Sequence, residues 1–532
     1  MINTFDINNF EDEAVWDLIC NGDTKGVFQL ESNLGRHWAK QTKPRNIKDL
    51  SALVSLIRPG TLLAKDVTGK SMTQVYADRK AAKSDSPVEY LHSSLEPILK
   101  ETYGVLVYQE QSMLIAQRLA GFNLKEADGL RKAIGKKKAD LMAKVKKSFL
   151  AGAEKEGIVT REIADEIFSW IEKSSRYAFN KSHAVSYAIN AYWSAYCKCY
   201  RRQQFYETYL NKSDKKQKPD IEKKQLMSDA RMSDINVLPP RLRYLKTNFT
   251  LIQNSSSIIY GLRHIKGVSV KTCKNIEQHL ADFNVVNYDW MDSLIKMIHT
   301  LNIDKRSAIA MISVGAFNGA NNRLSREQML YEYNSWKQLT KTEQEWISMN
   351  HHSGLIGKSL SESIENILLG LTPENTKPKK VSGRRDVTVK DIKYSLDNPF
   401  YSLDDSVVGI ASLEEKYLSY ALTCSKVDAI NLQNSINMCK DIANSTIIGK
   451  AIIAVEIERL KIVKTKKGKN PGQSMAFLTV EDGSGSIDSV IVFPDCFAEF
   501  KNSLTEQNTV MLHGEVPAKD RSSFIVNKVT QI

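Results

Sequence analysis

The chain has 532 residues, 42% hydrophobic and 25% charged. That is enough for several domains with cores of their own and unlike a disordered or low-complexity chain. The formal net charge of +13 favours an anionic partner, nucleic acid foremost, although a basic solvated surface gives the same excess.

No apolar run reaches the roughly 18 residues of a membrane span, and no secretory signal opens the chain. The expectation is a soluble cytoplasmic protein with no membrane partner. Seven cysteines are scattered at Cys20, Cys197, Cys199, Cys273, Cys424, Cys439 and Cys496, without the paired C-x-x-C spacing of a zinc site. Their odd, sparse number suits a reducing compartment and buried thiols.

Residues 1–25 are acidic, with Trp16, Leu18 and Ile19 on a helical period. The pattern then reads as mostly helical to residue 210, with helices predicted over 95–100, 109–120, 125–133, 138–156, 160–174 and 182–210. Thr160 precedes one of them, whose Ile163, Ile167, Phe168 and Ile171 form one face. The Lys-rich stretch Ser213–Pro219 reads as a boundary.

Beyond the Pro239-Pro240 turn, an apolar strand-like run at Ser257–Tyr260 leads into a turn at Gly267 and a helix. A second helical unit over 304–317 closes on Gly315-Ala316-Phe317. Residues 371–386, with Pro373, Pro378, Lys379, Lys380, Gly383, Arg384 and Arg385, predict a basic, mobile linker.

The period changes to two after residue 447. Ile447–Glu458, Met475–Pro494, Thr509–Val516 and Ser523–Val529 supply five short strands, with a helix-like stretch at Cys496–Leu504. This fits an OB-fold barrel, a pattern that a small barrel without a ligand shares. Lys461–Lys469 predicts a long basic loop between the first two strands, with Lys466 and Lys467 within it.

Two segments carry anion chemistry. Arg131, Lys132, Lys136, Lys137 and Lys138 crowd one short stretch; Asp128 and Arg131 share a helical face, and Gly135 is expected to end the helix. A triphosphate needs converging cations of this kind, yet a bare lysine run, read alone, is first a solvated surface. Phe179-Asn180-Lys181-Ser182-His183 precedes the long aromatic helix Ala184–Tyr200, with Ser182 as the expected N-cap. Lys181 and His183 sit at that N-terminus, where free amides favour anions; read alone, the segment is simply a capped helix start.

Five motifs occur in one order: Gly26-Val27-Phe28-Gln29-Leu30-Glu31-Ser32, then Arg58-Pro59-Gly60, then Thr102–Gln111, then Ala127–Lys138, then Tyr177–Ala184. In this order they resemble the fingers region of the bacterial DNA polymerase III alpha subunit, the family C replicative polymerase. Departures are Thr61 after Arg58-Pro59-Gly60, Lys132 and Ile134 in the cation-rich motif, and an insertion around Asp66–Ser71. Gly261–Ile276 resembles the family's helix-hairpin-helix element, which grips duplex backbone through amides of a Gly-containing turn.

The resemblance implies a multidomain, mainly α protein: helical fingers, a helix-hairpin-helix domain and a C-terminal β-barrel OB-fold. The implied division is a palm–fingers connector at 1–25, fingers at 26–212, a hairpin domain at 220–370, a linker and helical region at 371–446, and the OB-fold at 447–532. It implies an incoming dNTP held by Arg131, Lys132, Lys136, Lys137, Lys138, Lys181 and His183. It also implies primer-template DNA contacted by Arg58, Arg79, Tyr108, Gln109, Gln111, Lys266, Gly267, Lys271, Lys466 and Lys467.

The catalytic aspartates of this family lie in a palm, and only 25 residues precede Gly26. The expectation is therefore a palm-containing partner subunit that supplies the Mg2+, with no catalytic or metal-binding residue on this chain. Asp404-Asp405 and Glu481-Asp482 are read as turn and strand-end carboxylates. The setting expected is a bacterial or phage-infected cell and a split polymerase, with a non-catalytic DNA-binding accessory protein as the alternative. Sliding-clamp binding stays open, because no convincing copy of the family's Gln-containing motif stands in 331–446.

Overall fold

Side-chain caps set the helix starts of the N-terminal part. Asp12, Ser32, Asn46, Ser71 and Asn180 each hold extended backbone, and each side chain accepts from an amide three residues on. The computed structural model describes residues 6–82, 88–136, 139–174, 178–354, 359–374, 381–430, 436–465, 471–518 and 523–531. Two compact units emerge, Met1–Phe205 and Tyr206–Ile532. Among the described residues no helix is long and apolar enough to cross a membrane.

In the first unit, helices Gln109–Ala120, Leu124–Lys136, Ala139–Glu156 and Arg161–Ser174 enclose one core. Leu119, Phe149, Ile167, Phe168 and Ile171 are its buried centre, with Ile163 half-buried at the edge of the expected face. A second core joins Trp16 and Ile19 of Glu13–Cys20 to Leu50 and Leu53 of Ile47–Leu56 and to Ala188, Ala191 and Tyr192 of Lys181–Tyr200. The acidic N-terminal segment is thus part of this unit's core.

Three details differ from the sequence reading. The helix expected over 182–210 is broken at Arg201 into Lys181–Tyr200 and Arg202–Lys212. Its cap is Asn180, whose Oδ1 accepts from His183 N at 2.9 Å, while Ser182 lies within the first turn and donates its hydroxyl to the same Oδ1 at 2.7 Å. Gly135 lies inside a helix that runs to Lys136.

In the second unit, the helix Pro219–Met232 leads to a small sheet of β1 (Asn236–Leu238), β2 (Thr250–Leu251) and β3 (Ser257–Ile259), ordered β1-β3-β2. The Ser213–Pro219 stretch lies within this unit. Tyr206 and Leu210 are buried, and Tyr206 Oη donates to Asp229 Oδ2 at 2.5 Å. In the region read as a linker, 375–380 lie outside the described residues. Arg384 and Arg385 open the helix Arg384–Asp397, and Arg385 clamps Glu343 through Nε (2.7 Å) and Nη2 (2.6 Å).

The C-terminal strands β4 (Gly449–Lys464), β5 (Ser474–Asp482), β6 (Gly485–Val492), β7 (Thr509–Val516) and β8 (Phe524–Gln531) close a barrel in the order β4-β5-β6-β8-β7. β6 and β8 pair in parallel and the helix Pro494–Phe500 bridges β6 to β7, giving the OB-like fold expected. Inward side chains alternate along the strands: Ile453, Val455 and Ile457, then Ala476, Leu478 and Val480, then Val510 and Leu512. At Gly514 a Cβ would stand 2.0 Å from the carbonyl oxygen of Ile525, so the β7–β8 approach requires glycine. The expected basic loop is shorter than read, because Leu460 pairs with Leu478 and Ile462 with Ala476, carrying β4 to Lys464.

Candidate functional site

The segments around Tyr108 and Phe179 meet in a short parallel bridge. Phe179 N donates to Val107 O and Gln109 N to Phe179 O, each at 3.0 Å. Glu110 fastens the junction from the side, accepting from Asn180 Nδ2 at 2.8 Å and from Lys181 N at 2.9 Å. A carboxylate thereby occupies part of the amide-rich N-terminus of Lys181–Tyr200.

From this junction a run of π faces follows the helix. The Arg58 guanidinium lies 3.9 Å from the Phe179 ring centre. Phe179 meets His183 at 5.3 Å, His183 meets Tyr187 at 4.2 Å, and Tyr187 meets Phe28 at 5.1 Å. His183 and Phe28 are exposed, while Phe179 and Tyr187 are half-buried. Arg58 Nε is buried and has no hydrogen-bond partner. Lys181 Nζ sits 5.6 Å from the Tyr108 ring and pairs with Glu101 Oε1 at 2.6 Å.

The fold therefore brings Arg58, Gln109, Lys181 and His183 together. Tyr108 and Gln111 are buried beneath them and do internal work. Gln111 Oε1 accepts from the amides of Val107 (2.9 Å) and Tyr108 (3.0 Å), and its Nε2 donates to Thr102 Oγ1 (2.8 Å). These bonds hold the Tyr108 loop in shape at the helix start. Burial also pushes the Tyr108 phenol well above its ordinary range. Arg79 is half-buried, with Nη1 donating to Tyr103 O at 3.1 Å.

Arg131 and Lys132 stand on a separate helix of the same unit and share Asp128, at 2.8 Å each. Lys132 and then Arg131 hold the Asp128 carboxyl below its ordinary range. Lys137, Lys138, Lys466 and Lys467 lie outside the described residues, as does the side chain of Lys136.

In the second unit, Gly267 holds φ +98° at the turn before Val270–Asp282. Its carbonyl accepts from Ser307 Oγ at 3.1 Å, and Ser307 Oγ accepts from Ser269 N at 3.0 Å, so the starts of Val270–Asp282 and Lys305–Ser313 are tied together. Lys271 is exposed on the first turn; Lys266 is exposed and pairs with Asp220 at 3.1 Å.

The carboxylate pairs have structural partners. Asp405 Oδ1 accepts from Arg326 N at 2.9 Å, and Asp482 Oδ2 from Cys439 N at 2.8 Å. Among the described residues no group of three or more His, Cys, Asp or Glu side chains is placed to hold a metal ion.

Residues 2–157 match the family model for the bacterial DNA polymerase III alpha subunit finger domain, and residues 234–329 match that for a helix-hairpin-helix motif. The chain resembles the bacterial DNA polymerase III alpha subunit from fingers to barrel. It is 32% identical to DNA polymerase III subunit alpha of Aquifex aeolicus (strain VF5), over 98% of this chain and 40% of that protein. It is 28% identical to the subunits of Staphylococcus epidermidis (strain ATCC 12228) and Staphylococcus aureus (strain MSSA476), over 98% of this chain and 43% of each. The chain thus spans less than half the length of these relatives. Within the finger match, Phe28, Glu101 and Glu110 are site neighbours that the sequence reading did not single out. The four-residue spacing of Phe179, His183 and Tyr187 was a visible signal for one helical face.

Proposed function

We propose that this chain is the fingers and DNA-binding part of a DNA polymerase III alpha-like replicative polymerase. It binds the incoming dNTP and the primer-template, and a separately encoded palm subunit supplies the catalytic aspartates and their Mg2+. The observation that carries this reading is the shared face where Arg58, Phe179, His183, Tyr187 and Phe28 converge from three distant motifs, with Lys181 on the first turn of the same helix directed to Glu101 and the Tyr108 ring.

Such a face suits a nucleotide: cations for the phosphates and π faces for a base. Arg131 and Lys132 add charge from the neighbouring motif. The hairpin at Gly267 offers backbone amides and lysines to duplex phosphates, a grip that needs no base recognition. The barrel is the element for the template single strand.

Primer extension tests the assembly. With labelled primer-template, Mg2+ and all four dNTPs, the chain alone is expected to give no extension, and the chain with a palm fragment is expected to extend the primer. Extension by the chain alone overturns the division of labour. Salt-sensitive DNA binding without extension in either case favours a non-catalytic accessory protein.

Lys181 gives a second test. Its ammonium is already held by Glu101 at 2.6 Å, both side chains being partly solvated. Replacing Glu101 with glutamine is expected to release that charge and tighten dNTP binding by about two- to fivefold. A fluorescent dNTP titration reads the gain, and unchanged or weaker binding argues against phosphate contact by Lys181.

A further inference from the structure

A seam of buried charge joins the barrel to the helices packed on it. Lys224, from Pro219–Met232, places Nζ 2.7 Å from Glu481 Oε1 on β5 and 3.9 Å from Glu458 Oε1 on β4. Lys426, in the turn Lys426–Ala429, places Nζ 2.7 Å from Glu415 Oε2 of the helix Val407–Leu418 and 2.8 Å from Glu456 Oε1 on β4. Two ammonium groups therefore face four carboxylates.

The β4–β5 register sets Glu456 directly opposite Glu481, and both are buried. Carboxylates opposed across strands repel when both are charged, and more so out of water. Glu481 is the worse placed of the two, because its Oε2 is buried with no hydrogen-bond partner. The remaining groups near it add little positive charge. Tyr420 and Cys439 are buried, Asp482 is occupied by the Cys439 and Ser484 amides, and Arg231 donates to Gly483 O at 3.0 Å while lying 4.9 Å from the Tyr420 ring.

We propose that the opposed Glu456 and Glu481 carry one proton between them, held on Glu481, and act as a pH-sensitive clasp between the barrel and the helix Pro219–Met232. With the proton in place, the seam carries three carboxylates against two ammonium groups and stays closed. Loss of the proton sets two negative charges face to face, and the strain is relieved by admitting water between Lys224 and the strands.

The direction of the response follows from the carboxyl itself. Burial first, opposed by Lys224 and reinforced by Glu458 and Glu456, raises Glu481 from 4.5 to about 7. Burial raises Glu456 as well. A carboxyl with a raised folded-state value stabilises most below its unfolded value and loses that contribution as pH rises through the folded one. The window for loosening is therefore about pH 4.5 to 7 and complete above it.

Hydrogen–deuterium exchange on the full chain reads the clasp. After correction for intrinsic rates, protection across Pro219–Met232 and the facing parts of β4 and β5 is expected to fall by roughly thirtyfold between about pH 5.5 and about pH 8.5. Glu481→Gln, which mimics the protonated carboxyl, is expected to keep the high protection at both pH values. A carbon-13 carboxyl titration of the wild-type chain, which needs no variant to fold, is expected to place the pair's upper midpoint near neutrality. A Glu481 midpoint below about 5, or a Glu481→Gln chain as pH-dependent as wild type, overturns the proposal.

Discussion

Replacing Glu414 with alanine is expected to cost the second unit about 3–5 kcal/mol, measured as the loss of unfolding free energy in a urea titration. Glu414 is fully buried, and all its acceptor capacity is in use. Oε1 takes Arg326 Nη2 at 2.8 Å and Thr423 Oγ1 at 2.6 Å; Oε2 takes the amides of Leu422 and Thr423, each at 2.7 Å. Arg326 is buried too, and Arg241 lies beside it, giving Nη1 to the carbonyls of Val314 (3.0 Å) and Gly315 (2.9 Å).

Burial first, then the neighbouring Arg326 charge, pulls the Arg241 guanidinium down to about 10, so the pair already strains against its own charge. Without Glu414, Arg326 loses its paired carboxylate, and Asp405 still acts on Arg241. Because removing one partner of a buried pair costs more than the pair contributes, the double change Arg326→Met with Glu414→Leu is expected to recover part of the loss. A Glu414→Ala penalty under about 1 kcal/mol would mean that water reaches the pair and screens it.

What the sequence made legible follows the range of the interaction. The barrel strands were readable because alternation is local: Met475–Val480 points every second side chain inward with no help from elsewhere. The face of Arg161–Ser174 was readable for the same reason, its buried apolar side chains being Ala164, Ile167, Phe168 and Ile171. Asn180 and Ser182 are both good caps two residues apart, and only the backbone decides between them, extended at Asn180 with ψ 124°. Gln111 was read as a DNA contact because it stands in a motif, but motif membership does not separate a ligand contact from the residue that shapes the loop. Phe28 was invisible as part of the site, since its partner Tyr187 lies far along the chain and nothing local marks the contact.

The other large effect is expected at Arg58, which the resemblance assigned to primer-template DNA and the proposal above gives to the incoming nucleotide. Its guanidinium carbon lies over the Phe179 ring at 3.9 Å and its Nε is buried without a partner, so one face of the charge is desolvated before any ligand arrives. A preorganised cation of this kind loses little freedom on meeting a phosphate, and a charge-assisted hydrogen bond there is worth about 1.5–3 kcal/mol. Arg58→Ala is therefore expected to weaken dNTP binding by about tenfold to a hundredfold. Arg58→Lys should recover little, since an ammonium neither stacks on the ring nor offers a planar fork. Lys132→Ala is expected to cost much less, because Lys132 is more exposed and already shares Asp128 with Arg131. Titrations with a fluorescent dNTP, beside thermal unfolding of each variant, separate lost contact from lost structure. Binding by Arg58→Ala within twofold of wild type, or full rescue by lysine, would remove Arg58 from the nucleotide face and leave it a packing residue for Phe179.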